Sequence, residues 1–173
     1  MTVKIKNFPG TSLSEQDIAE GKVLSLHDSL HADFGWDTGV AVGRYLASLK
    51  EGVILGARCH RCRKTVVPPR QVCEWCYRLM SDYVPLQDTG IVNTFSLCYV
   101  TWDVQRIMEP EIPAVIEIDG ASPLHGILHK LGEIAPQEVR IGMRVKAVWK
   151  PAAERLGAIT DILYFSPILE EQT

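Results

Sequence analysis

Two Cys-x-x-Cys pairs ten residues apart, Cys59-His60-Arg61-Cys62 and Cys73-Glu74-Trp75-Cys76, constrain this chain more than any other stretch. Each pair forms a tight turn that presents two sulfurs to one point, so the four thiolates can close a tetrahedron around a single ion. The spacing predicts one structural Zn2+ held by Cys59, Cys62, Cys73 and Cys76. Four sulfurs fill the coordination sphere and leave no position for water, so such a metal folds the chain and hydrolyses nothing. Iron in a rubredoxin-like site uses the same ligand count, and disulfides are the further alternative in an oxidising compartment. A small residue, often Gly, usually follows the second Cys of such a knuckle. Arg63 and Tyr77 stand there instead, and their backbones must make the turn without that help.

At 173 residues the chain is one domain or two small ones, long enough to bury about 70% of its unfolded surface. Hydrophobic residues make up 46% and charged residues 23%, ordinary proportions for a globular protein. The start, Met1-Thr2-Val3-Lys4-Ile5-Lys6, leads into polar sequence and does not look like a signal peptide. No apolar run is long enough to cross a bilayer. With four of five cysteines in metal-type spacing, the expected location is the cytoplasm. A net charge of −3 gives no global pull toward nucleic acid or anionic membrane. Locally, Arg58, His60, Arg61, Arg63, Lys64, Arg70 and Arg78 gather around the cysteines. They fit solvated side chains that steady the thiolates, or a site for a nucleotide phosphate or an acidic partner surface.

The fold class expected is mainly β with N-terminal α: N-terminal helices, a four-Cys zinc ribbon and a five-stranded OB-fold barrel. The division predicted is 1–52 for the arm and helices, 53–84 for the ribbon, and 85–173 for the barrel and tail. Ser12-Leu13-Ser14-Glu15 fits a capping box, and Val23, Leu26 and Leu30 follow at helical spacing, which predicts a helix over about 13–31. His27 and His31 share a face of it as surface residues, and Glu20 lies too far along the axis to join them around a metal. A second helix is predicted over about 40–50, with Val42, Tyr45, Leu46 and Leu49 on its apolar stripe. Residues 53–55 and 65–67 read as the ribbon hairpin. Beyond Asp88-Thr89-Gly90, strands are predicted at 91–100, 114–118, 124–131, 145–149 and 158–165, a count and length that suit a small Greek-key barrel.

The order helix, Cys-x-x-Cys, Val67-Pro68-Pro69-Arg70, Cys-x-x-Cys, Thr89-Gly90-Ile91-Val92-Asn93-Thr94-Phe95, Pro113-Ala114-Val115-Ile116 and Ile141-Gly142-Met143-Arg144-Val145 resembles the DUF35 family. Its members join a rubredoxin-like zinc ribbon to an OB fold and are associated with acyl-CoA enzymes. The resemblance spans about 40–165 and implies a partner, not a catalyst. The partner is a thiolase-like or aldolase catalytic subunit whose acyl-CoA site the small chain completes or gates. The long N-terminal region and the stretch from Phe34 to Arg70 look like accessory subunits of thiolases of aromatic or fatty acyl-CoA breakdown, such as that of benzoylsuccinyl-CoA thiolase in anaerobic toluene degradation. On this footing Arg61, Arg63, Lys64 and Arg70 are candidates to meet CoA phosphates, since Arg pairs with them bidentately.

The residues themselves agree that catalytic machinery is missing. Thiolytic cleavage needs an activated Cys, and the one thiol left over, Cys98, lies in an alternating strand where an inert core position is expected. His125 and His129 resemble half of a zincin motif without its glutamate, and a solvated or hydrogen-bonded pair on one strand face is the expectation. Glu117 and Asp119 read as the border of a turn. Single-stranded nucleic acid binding by a ribbon-plus-barrel module is the competing function. Against it, Phe95, Tyr99 and Trp102 suit core packing, and Asp103, Glu109 and Glu111 beside them are acidic. Trp75, pinned between metal ligands, and Trp36, on the loop before the second helix, are the candidate partner anchors.

Overall fold

In the computed structural model, residues 14–22, 31, 35–101 and 103–168 are described, and the chain divides into two units, Met1–Trp36 and Asp37–Thr173. In the first unit, helix α1 spans Glu15–Ala19. Its N-cap is Ser14, whose hydroxyl accepts from Asp17 N while its own N–H donates to the Asp17 carboxylate, each at 3.2 Å. The capping box therefore sits two residues later than the sequence suggests. The helix also stops far short of residue 31, because Gly21 takes a left-handed φ of +67°. Residues 23–30, with His27 and the rest of the expected apolar stripe, lie outside the described residues.

The second unit opens with helix α2, Gly39–Lys50. Asp37 Oδ1 accepts from Gly39 N at 2.7 Å and supports its start. At its end Val53 N donates to Ser48 O and Gly52 N to Leu49 O, both at 2.9 Å, the paired bonds of a Schellman stop. Ala41, Tyr45 and Leu49 form the buried stripe; Val42, expected on it, is 42% exposed.

The ribbon is a three-stranded sheet of β1 (Ile54–Arg58), β2 (Thr65–Val66) and β3 (Asp82–Leu86) in the order β2-β1-β3. The third strand returns to the central one after both knuckles, with Ala57 facing Val66 on one side and Tyr83 on the other.

The barrel strands are β4 (Thr89–Phe95), β7 (Pro113–Ile118), β8 (Gly126–Lys130), β9 (Arg144–Trp149) and β10 (Ile162–Pro167). Their order is β10-β9-β4-β7-β8, all antiparallel, and a parallel bridge between Leu131 and Phe165 joins the ends. First strand beside second and fourth, with the third meeting the fifth in parallel, is the five-stranded OB barrel. Gly90 and Gly126 make its coiling possible: a Cβ on either would stand 2.2 or 2.1 Å from a carbonyl oxygen of β7. The expected strand 91–100 is two elements. It breaks at Ser96-Leu97, and Cys98–Val100 (β5) pairs with Arg106–Glu111 (β6) in a separate hairpin.

Phe165, Ile116, Val92, Val145 and Ile162 centre the barrel core, and Tyr45 and Leu49 of α2 belong to the same cluster. The α2 helix is thus a lid on the barrel. Ala57, Cys59, Val66, Cys73 and Met80 form a second, smaller core inside the ribbon. The two are joined by reciprocal hydrogen bonds, Thr65 N to Ser122 Oγ at 2.9 Å and Ser122 N to Thr65 O at 2.8 Å.

Candidate metal centre

The two knuckles are built alike. In the first, Cys59 N donates to Lys64 O at 2.8 Å and Arg63 N to Cys59 O at 2.9 Å. In the second, Cys73 N donates to Arg78 O and Tyr77 N to Cys73 O, both at 2.9 Å. Arg63 and Tyr77 take left-handed φ values of +57° and +56°, the conformation expected of them as stand-ins for glycine.

These turns bring the four sulfurs of Cys59, Cys62, Cys73 and Cys76 within 4.8 Å of one another. Tetrahedral coordination at a metal–sulfur distance of about 2.3 Å sets sulfurs about 3.8 Å apart, and Cys59 Sγ lies 3.6 Å from Cys76 Sγ. All five cysteines of the chain are free thiols. Cys62 N–H, then Arg61 N–H, donate to Cys59 Sγ and, against the effect of burial, hold its thiol down to about 6. The neighbouring sulfurs, Cys76 first, push Cys62 up to about 12. Four thiolates cannot ionise together at this spacing on their own, and a cation at their centre removes the conflict. The donor set, spacing and burial fit a tetrahedrally bound metal ion.

The surrounding cations fall into two groups. Lys64 Nζ lies over the Trp75 ring, 5.5 Å from its centre, and Arg70 forms an ion pair with Glu74. Arg61, Arg63 and Arg78 are exposed and form no ion pair with the described residues. Trp75 is 46% exposed, but its ring also meets His125 edge-on at 5.2 Å, so it bridges ribbon and barrel. Trp36 is 84% exposed in the first unit.

His125 and His129 do not form a pair. His125 precedes β8, packs on Trp75 and lies 3.7 Å from Glu74. His129 turns to the barrel, its Nε2 3.3 Å from Ile159 O and its ring edge-on to Phe165 at 5.7 Å. Burial pulls both imidazoles below their ordinary value.

The acid residues are structural. Asp119 receives both Arg144 guanidinium N–H groups and the Thr89 hydroxyl, and Arg144, the largest influence, holds its carboxyl below the usual range. Glu117 accepts from Asn93 Nδ2 at 2.6 Å and Leu124 N at 3.3 Å. Sequence reasoning missed Asp161, which is fully buried and accepts N–H groups from Leu156, Gly157 and Ala158 at 2.7 to 3.0 Å.

Two aromatic and thiol expectations need correction. Cys98 is only half-buried on β5 and belongs to neither core, and Tyr99 is 48% exposed, because the hairpin leaves the barrel wall. Phe95 does pack against the barrel core; Trp102 lies outside the described residues.

A four-cysteine ribbon docked on an OB barrel defines a class of small two-part β proteins. Residues 83–150 match the family model of the ChsH2 C-terminal OB-fold domain. A DUF35 domain-containing scaffold protein of Methanocaldococcus jannaschii is 30% identical over 118 residues, 66% of this chain and 82% of that protein. This chain belongs to the DUF35 family. Among solved structures, a DUF35 protein of unknown function from Sulfolobus solfataricus is similar at a TM-score of 0.56 and 25% identity, over 64% of this chain and 79% of that one. The Ltp2–ChsH2(DUF35) aldolase is similar at 0.55 and 25% identity, over 72% and 91%.

Proposed function

We propose that this chain is a non-catalytic accessory subunit of a heteromeric acyl-CoA enzyme, with one structural Zn2+ on Cys59, Cys62, Cys73 and Cys76. The observation that carries the proposal is the kinship, across 82% of its length, with a protein named as a scaffold. The chemistry of the side chains supports it: Asp119, Glu117 and Asp161 are all engaged in hydrogen bonds that hold turns and loops together. The partner we propose is a thiolase-like catalytic subunit that makes or breaks a C–C bond in a 3-oxoacyl-CoA, benzoylsuccinyl-CoA being one candidate. An acyl-CoA aldolase subunit is the second reading, favoured by the similarity to the Ltp2–ChsH2(DUF35) aldolase.

In this proposal residues 1–52 and the ribbon at 53–84 dock on the partner, and the barrel at 85–173 shapes the acyl-CoA channel. Of the four cations nominated for CoA phosphates, Arg70 and Lys64 are engaged by Glu74 and Trp75, and Arg61 lines the hollow beside Cys59, so the contact falls first to Arg63. The setting is a reducing cytoplasm, which keeps the thiols available to metal. A nucleic-acid-binding role is disfavoured by Asp103, Glu109 and Glu111 beside the exposed Tyr99.

Co-expression with the catalytic subunit encoded beside this chain tests the proposal. The pair is expected to purify together and turn over a 3-oxoacyl-CoA, and the chain alone to be inactive with one zinc per chain. Turnover by the isolated chain, or stoichiometric iron in it, overturns the respective part.

A further inference from the structure

The outer face of the second knuckle carries apolar side chains that no core uses. Tyr77 is 82% exposed, Leu79 72% and Val72 44%. Val72 and Leu79 face each other in an isolated bridge, so their side chains form one patch. Beside it, Arg61, Arg78, His60 and Leu79 line an open hollow next to Cys59.

Tyr77 is the informative residue. At φ +56° it occupies a position that glycine takes without steric penalty, and its ring buries little against the rest of the chain. The knuckle demands that φ, as it does at Arg63, so the backbone is explained by the turn; what the fold does not use is the large ring displayed there, and this points to a contact outside the molecule. Trp75 does not compete for the role, since Lys64 and His125 flank its ring.

Charge identifies what the patch meets. Residues 53–84 carry six Arg and Lys against two Asp and Glu, a formal +4 that becomes +2 once four thiolates hold the proposed Zn2+, while the rest of the −3 chain carries −7. We infer that Tyr77, Leu79 and Val72, with Arg61 and Arg78, form the docking pad for the catalytic partner subunit, and that the pad takes an apolar surface edged with carboxylates. The inference rests on the accessory-subunit proposal and deepens it. A CoA phosphate in the hollow would leave Tyr77 and Val72 uncovered. Docking of the pad on the acidic barrel of a second copy would be head-to-tail and would propagate into a ring or fibre.

The test measures affinity of this chain for the catalytic subunit encoded beside it, by biolayer interferometry at two salt concentrations. Leu79→Asp is expected to weaken binding about a hundredfold, and Arg61→Ala with Arg78→Ala about tenfold with a flatter salt dependence. Tyr77→Gly relieves the backbone and is expected to weaken binding about tenfold while metal content and melting temperature do not fall. Met108→Asp, on the barrel hairpin and 94% exposed, is expected to leave affinity within about twofold. Three results overturn the docking pad alone: a complex that tolerates all the ribbon variants, a wild-type self-association that Leu79→Asp abolishes, or CoA binding by the isolated chain that the double Arg variant removes. A wild-type chain that binds no catalytic subunit overturns the accessory-subunit proposal itself, and the pad with it.

Discussion

The barrel and the ribbon reach a folded state by different physics. Among the described residues, sixteen buried side chains share the larger core, twelve of them from the barrel, with Tyr45 and Leu49 of α2 and Ile54 and Val67 of the ribbon's base. The ribbon core holds five, two of which are Cys59 and Cys73 of the four-sulfur cluster, around a sheet whose second strand has two residues. Burial at about 25 cal/mol per Å² can carry the first and not the second. The difference teaches that the base of the ribbon leans on the larger core while the two knuckles have little packing of their own, which is where the proposed Zn2+ is needed.

Breaking the metal site tests this contrast most strongly. With the proposed Zn2+ bound, Cys73→Ser or chelation is expected to remove a binding free energy of order 10 kcal/mol, since metal binding in such sites is folding free energy. Amides of the ribbon are expected to lose hydrogen-exchange protection while those of β4, β7 and β9 keep theirs; joint loss would show that the barrel depends on the ribbon. The converse variant, Phe165→Ala, opens the barrel core and is expected to cost about 3–5 kcal/mol, lowering the melting temperature by roughly 10 °C or more with metal content retained.

Next comes Asp161. Its burial disfavours the charge, but the N–H groups of Leu156, Ala158 and Gly157 outweigh that and hold its carboxyl below the ordinary value. A depressed folded value stabilises above the ordinary carboxylate pKa of about 3.9, and this contribution disappears as pH falls through the folded value. Asp161→Ala is expected to cost about 2–3 kcal/mol at neutral pH in urea unfolding and to flatten the acid limb of the stability profile. The smallest effect is expected at Arg63, left-handed like Tyr77. Arg63→Gly relieves its turn, with a net gain within about 1 kcal/mol once glycine's chain entropy is counted. A clear loss would show that the arginine side chain holds the knuckle.

The sequence is most legible where geometry is local. The knuckles, including left-handed turns at Arg63 and Tyr77, follow from cysteine spacing, and α2 and the presence of five barrel strands follow from periodicity and bordering turns. The last strand, expected over 158–165, begins only at Ile162 because Ile159–Asp161 is a 3-10 turn built around the Asp161 carboxylate. The ribbon's third strand was hidden because Pro85 reads as a strand breaker. It is tolerated on an edge, where β3 pairs only with β1. The split of 91–100 was hidden because neither glycine nor proline marks Ser96-Leu97, and Pro110 masks β6 in the same way. The different fates of His125 and His129, and the N–H cradle around Asp161, depend on residues brought together by tertiary folding. No pattern along the chain announces them.

The parallel bridge from Leu131 to Phe165 seals the barrel's circumference. That contact places the two edge strands, β8 and β10, against each other and shortens the free edge onto which a foreign strand can stack. The barrel itself is therefore a poor template for amyloid-like assembly, whereas the two-stranded hairpin carrying Met108 keeps its edges.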